Sequence, residues 1–263
     1  MSLRIRLARF LLQLGDFIKA LPVAVMKPDD LVEFSRQTYA RPGNVEGWAE
    51  DALVDSGLSA DELELLSAFP GKSGDVLLLG VGGGREAIPL ARMGFRVTGV
   101  DYVAEMVDRA RQNAIARGVM LDGLVQEISR LDLPANFFDL VWLSRAMYSC
   151  VPTRSRRVEM VRRIAHTLKP GGYFLCQFHW DPQPRYSTLG YLIRRLVAVI
   201  TLGNFAYEEG DILWLNVEFI HAFATQDAIL SEIEEGGLSV VGIKTSPSSV
   251  RGSAVCIKTI PQS

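Results

Sequence analysis

The stretch Val76–Asp101, VLLLGVGGGREAIPLARMGFRVTGVD, decides the fold. Val76 to Leu79 is an apolar run of the length of a parallel strand buried on both faces, and Gly80, Gly82, Gly83 and Gly84 follow directly. A helix is predicted to begin near Arg85. Phe95 to Val100 supplies a second apolar run, with Asp101 at its carboxyl end, where open α/β sheets place their ligand contacts. Strand, glycine turn, helix, strand and carboxylate in that order describe a nucleotide-type site.

Beyond Asp101, apolar runs alternate with amphipathic helices, which argues for a parallel sheet built from βαβ units. The pattern predicts a helix over 104–117, a strand at 123–126, a loop at 131–136, a strand at 138–143 and a helix over 156–168. A turn at 169–172 then leads into a fifth strand at 173–178. The alternation pauses at Asp181, Pro182, Gln183 and Pro184, and a strongly apolar helix follows over 188–202, broken in polarity only by Arg194 and Arg195. Residues 181–216 therefore read as an insertion. An extended run at 217–223, a helix over 226–235 capped by Thr225, and strands at 238–245 and 254–260 resume the pattern.

On the amino-terminal side, Leu3, Leu7, Phe10, Leu14, Phe17 and Leu21 recur at helical spacing. They define an amphipathic helix whose apolar face packs on the domain, on a second subunit or on a membrane surface. Further helices are predicted over 29–39, 48–54 and 60–69, with a turn at 41–44 and a capping box of Ser59 and Glu62. The chain thus divides into a helical appendage (1–70), a cofactor-binding half of the core (71–180), a lid insertion (181–216) and the rest of the core (217–263).

A formal charge of -2 gives no sign of a polyanionic partner, so nucleic acid is not expected. Cys150, Cys176 and Cys256 are odd in number, far apart and set in apolar sequence, as reduced core thiols are. No Cys/His spacing marks a metal site. No apolar run reaches the roughly 18 residues of a membrane span. The expectation is a soluble cytoplasmic protein, with peripheral membrane contact through 3–21 and a homodimer left open.

The dinucleotide fingerprint GxGxxG fails here, because its third glycine would fall on Arg85. What stands is GxGxG at Gly80, Gly82 and Gly84, with Asp101 about twenty residues on. This run resembles motif I and the second-strand carboxylate of class I S-adenosylmethionine-dependent methyltransferases. Val125 to Ile128 resembles the third-strand adenine motif, Phe138 to Val141 the fourth strand, and Leu168-Lys169-Pro170-Gly171-Gly172 the turn before the fifth. The resemblance implies a Rossmann-like, doubly wound, seven-stranded and mostly parallel α/β sheet. It also implies S-adenosylmethionine as cofactor, with Gly80, Gly82 and Gly84 beside its methionine part and Asp101 on the ribose hydroxyls. Tyr102, Met106, Glu127 and Ile128 would border the adenine, and Ser144 and Arg145 the methionine carboxylate or the substrate. One position departs from the family: the usual acid two places before the first glycine is Leu78.

Methyl transfer to a phenol, an ammonium or a carbon acid needs a proton acceptor. By their places near strand ends, His179, His221 and Tyr148 are candidates, each with an alternative role in the core. Trp180, Tyr186, Tyr207 and Trp214 cluster around the insertion and either wall an aromatic substrate or pack a lid. The function expected is methylation of a small, apolar or aromatic molecule by in-line transfer. The alternative, motivated by Leu78 and the appendage, is a non-catalytic or regulatory protein on the same fold.

Overall fold

The computed structural model describes residues 3–143, 145–183 and 188–260. Helices α1 (Leu3–Lys19), α2 (Pro22–Val25), α3 (Pro28–Tyr39), α4 (Pro42–Trp48), α5 (Asp51–Asp55) and α6 (Ala60–Ser67) precede the sheet. The turn expected at 41–44 is instead the start of α4, because Pro42 at the first helical position brings its preset φ and lacks only an N–H that would be unpaired there. The helix expected over 48–54 is split at Ala49 and Glu50, where the backbone turns extended before α5. The capping box forms as read: the Ser59 N–H donates to Glu62 Oε2 at 2.8 Å and the Glu62 N–H to Ser59 Oγ at 3.4 Å.

The core follows in the order β1 (Gly74–Leu79), α7 (Ala87–Arg92), β2 (Phe95–Asp101), α8 (Ala104–Ala116), β3 (Asp122–Val125), β4 (Phe138–Leu143), α9 (Arg154–Thr167) and β5 (Leu168–His179). Then come α10 (Thr188–Ile200), β6 (Asp211–Trp214), β7 (Glu218–His221), α11 (Gln226–Glu235), β8 (Ser239–Lys244) and β9 (Arg251–Ile257). Seven strands form one sheet in the order β3-β2-β1-β4-β5-β9-β8, and only β9 runs antiparallel to its neighbours. The extended run at 217–223 lies elsewhere: β7 pairs antiparallel with β6 in a separate hairpin.

Alternation along the strands sends residues to two buried faces. Leu77, Leu79, Val141 and Leu143 enter one apolar cluster, and Val76, Leu78, Leu140 and Trp142 the other. Helices cover both faces, which is why these strands read as continuous apolar runs. The chain winds from β1 outward to β3 and returns to β4, so the switch point lies between the carboxyl ends of β1 and β4, where such sheets leave a crevice.

Candidate active site

A cavity opens at that switch point, and residues from seven parts of the chain line it. The glycine turn after β1 forms its floor. The Gly80 and Val81 N–H groups both donate to the Val100 carbonyl, at 2.8 and 3.0 Å, which ties the turn to the end of β2. Gly80 has φ +82°, and a Cβ there would collide with the sulfur of Met147. A Cβ on Gly82 would stand in open space, on a residue that faces the cavity. Gly83 has a different reason to be glycine: its Cβ would strike the Trp48 carbonyl, so the turn and α4 touch backbone to backbone.

Asp101 closes the floor. Its Oδ2 accepts the Gly82 N–H at 3.1 Å and its Oδ1 the Val103 N–H at 3.0 Å, which fixes the carboxylate at the end of β2. Burial pushes its pKa up to about 6, and the backbone donors of Val103, Gly82 and Tyr102 only partly offset that. A buried carboxylate with lone pairs left over, beside a turn whose second glycine faces open space, fits a ligand carrying a vicinal diol such as ribose.

Tyr102 and Met106 line the cavity with Tyr39 and Trp48 from the amino-terminal helices. These four residues pack in one small apolar cluster, with the Tyr39 and Trp48 rings 6.2 Å apart. The guanidinium of Arg145 lies 5.4 Å from the centre of the Trp48 ring. Arg145 and Ala146 both have positive φ, a conformation that costs a non-glycine residue on the order of 1 kcal/mol or more. That turn delivers Arg145, Met147 and Cys150 to the cavity and sends Tyr148 away from it.

Among the other residues singled out from sequence, His179 at the end of β5 lines the cavity, its ring 5.6 Å from that of Trp214. Gly84 does not reach the cavity; it faces the Ala110 backbone of α8. Glu127 and Ile128 also lie outside its lining. Glu127 accepts from the Ser129 hydroxyl and Ile128 packs on the core. Tyr148 is fully buried and donates to Glu232 at 3.1 Å. His221 pairs through Nδ1 with Asp211 at 2.8 Å, and burial, then Arg157, pushes its pKa down to about 3. Of the four aromatics around the insertion, Trp214 lines the cavity, whereas Trp180 and Tyr207 are buried in packing clusters. Ser144 and Tyr186 lie outside the described residues.

Two carboxylates in the cavity carried no sequence motif. Glu218, on β7, interacts with the Tyr39 hydroxyl and lies 3.6 Å from Cys150 Sγ; burial raises its pKa. Glu86, at the start of α7, is raised by burial as well, and is paired with Arg85, with Arg145 3.9 Å away. Arg85 in turn donates to Glu62 of α6 at 2.8 Å. A carboxylate two residues after the last glycine was a signal available for Glu86; Glu218 offered none.

Glu208, Asp211 and His221 converge within 4.8 Å of one another, yet their oxygens are engaged. Asp211 pairs with His221 and accepts from the Glu208 N–H, and Glu208 accepts from the fully buried Arg157, which also pairs with Glu232. A guanidinium held against this group makes it a structural network rather than a cation site.

Residues 77–176 match the methyltransferase domain family. The ubiquinone biosynthesis O-methyltransferase of Paramagnetospirillum magneticum is 40% identical over 111 residues, which is 42% of each chain. The tRNA 5-carboxymethoxyuridine methyltransferase of Escherichia coli K12 is 30% identical over 186 residues, 68% of this chain and 62% of that one. The chain therefore spans less than two thirds of the length of either relative. A methyltransferase structure from Methanosarcina mazei superposes with a TM-score of 0.58 at 20% identity, covering 78% of this chain and 99% of that one. One from Clostridium acetobutylicum does so with 0.59 at 15%, covering 83% and 100%; at these identities both attest the fold. The sheet order, the matched domain and these relatives agree: the chain belongs to the class I S-adenosylmethionine-dependent methyltransferase family.

Proposed function

We propose that this protein methylates the hydroxyl of a small, largely apolar or aromatic molecule, with S-adenosylmethionine as donor. The observation that carries the reading is one cavity joining the glycine turn and Asp101 to the half-buried carboxylate Glu218, with Trp48 and Trp214 in the same lining. When bound, the donor supplies an electrophilic methyl group on a sulfonium. Asp101 would hold its ribose, the backbone around Gly80 and Gly82 its amino-acid end, and Tyr102 and Met106 its adenine. The amino-terminal helices, through Tyr39 and Trp48, and the β6–β7 hairpin, through Trp214 and Glu218, would wall the acceptor.

Alignment in such a closed space can supply about 7 to 11 kcal/mol of the barrier in favourable intramolecular models. Glu218 takes the acceptor's proton in this reading. A carboxylate whose pKa burial has raised is a stronger base than a solvated one, and Tyr39 orients it. His179, stacked near Trp214, serves as wall. The relatives whose names include ubiquinone O-methylation support an oxygen acceptor, and the free cysteines suit a reducing cytoplasm.

The test is methyl-labelled donor offered with a panel of phenols and quinols and, separately, with total tRNA. Label in a small molecule, lost in Glu218→Gln, is the expected result. Label in tRNA alone would overturn the small-molecule reading. Donor binding without transfer to either acceptor class would favour a non-catalytic role.

A further inference from the structure

Helix α10 is apolar on its outer side as well as on its inner one, where Tyr191 packs. Its buried side carries Arg194 and Ala198, while Leu189, Leu192, Leu196, Val199 and Ile200 on its other side are more than half exposed. A helix of a water-soluble domain turns its apolar stripe inward, so a face built this way needs a cover. Helix α1 presents the same problem, since every residue from Leu3 to Leu14 is exposed, including Leu7, Phe10 and Leu11 of its apolar stripe. A helix of this length without packing is marginal in water.

The two helices belong to one face of the molecule. Arg194 of α10 lies 6.0 Å from the centre of the Phe17 ring of α1. The Asn204 N–H just after α10 donates to the Ala24 carbonyl of α2 at 2.9 Å. The charges along these two segments are mostly basic. Residues 3–28 hold Arg4, Arg6, Arg9, Lys19 and Lys27 against the single acid Asp16, and α10 adds the exposed Arg195 with no acid of its own. The chain as a whole is slightly acidic, so the basic excess is local.

From these observations we infer that α1 and α10 dock on the surface of an anionic lipid bilayer. Exposed leucines would enter the boundary between headgroups and acyl chains, and the flanking arginines would meet the lipid charge, as amphipathic surface helices do. Among the described residues no helix is long and apolar enough to cross a membrane, so the contact is peripheral. The face also adjoins the cavity. Tyr191 of α10 and Val23 of α2 pack with Leu213 and Phe219 of the β6–β7 hairpin, the hairpin that carries Trp214 and Glu218. An apolar compound held in a bilayer would thus approach the cavity from its own solvent.

The experiment is co-sedimentation of the full chain with phosphatidylcholine vesicles, with and without phosphatidylglycerol, at low and high salt. Binding is expected with phosphatidylglycerol and loss at high salt. Arg6→Gln and Arg9→Gln should each weaken it roughly fivefold, and Leu192→Ser with Leu196→Ser at least about tenfold. Retained donor binding shows that these variants are folded. No sedimentation with either vesicle overturns the inference, and so does equal binding to pure phosphatidylcholine. A dimer in sedimentation equilibrium that dissociates in the double Leu→Ser variant, without vesicle binding, would assign the face to a second copy instead.

Discussion

If Asp101 grips the donor's ribose, acid should weaken donor binding while it stabilises the empty protein. Burial raises the Asp101 pKa to about 6 from its ordinary 3.8, and the side chain is only 8% exposed. The ionised carboxylate accepts both ribose hydroxyls, and the protonated acid cannot. At about pH 5, one unit below this pKa, roughly one molecule in eleven is ionised, so affinity should fall about tenfold from its value at pH 8. Stability moves the other way. A carboxyl whose folded pKa is raised contributes stability that is fully present below the unfolded pKa, near 3.8, and lost as pH rises through about 6. Two units correspond to about 3 kcal/mol, read as the difference between wild type and Asp101→Asn, which cancels the other carboxylates. Titration calorimetry with S-adenosylmethionine across this range measures the first effect, and thermal unfolding of both proteins the second. Affinity that is flat from pH 8 to 5, or that falls equally in Asp101→Asn, would refute the assignment of Asp101.

Three further outcomes test other parts of the site. Glu218→Gln should lower turnover at least about a hundredfold with donor affinity unchanged, whereas His179→Ala should lower it less than about tenfold; the reverse ranking in steady-state kinetics would make His179 the base. Gly83→Ala should destabilise the fold by about 1 to 3 kcal/mol and weaken donor binding, because its Cβ would push the Trp48 backbone off the glycine turn; chemical denaturation and calorimetry measure the two effects. Glu62→Ala should cost about 3 kcal/mol by chemical denaturation, since Arg85, 5% exposed, would keep only Glu86 as a carboxylate partner. Burial works against the Glu62 charge, yet the Arg85 hydrogen bonds hold its pKa at about 2, so the pair's contribution is present above 4.5 and fades as pH falls toward 2.

The Rossmann-like core was legible because its rules are local. Parallel strands covered on both faces must be apolar throughout, and a turn that brings Gly83 against a neighbouring backbone must be glycine. Side-chain direction was not legible in the same way. Tyr148 stands just past β4, the right distance along the chain for the cavity, but the left-handed turn at Arg145 and Ala146 rotates it into the core and presents Met147 and Cys150 instead. His221 has an analogous fate, since the β6–β7 pairing puts it opposite Asp211. The helix expected over 48–54 breaks for a tertiary reason too, because the Trp48 carbonyl packs against Gly83. Glu218 was invisible for the complementary reason: its environment comes from Tyr39 and Cys150, each remote in sequence.

The same distinction resolves the one departure from the family pattern. Leu78 has no accessible surface, and it packs with Val76, Leu140 and Trp142 beneath the sheet. A carboxylate there would be buried among apolar side chains, at a cost of several kcal/mol without a partner. The acidic group beside the glycine turn comes from the helix side, as Glu86, which lines the cavity and is already faced by Arg85 and Arg145. Its raised pKa reflects burial opposed by those cations, so a further cation in the cavity would favour its ionised form. Replacing the acid by Leu78 therefore completes an apolar sheet face without depriving the cavity of a carboxylate.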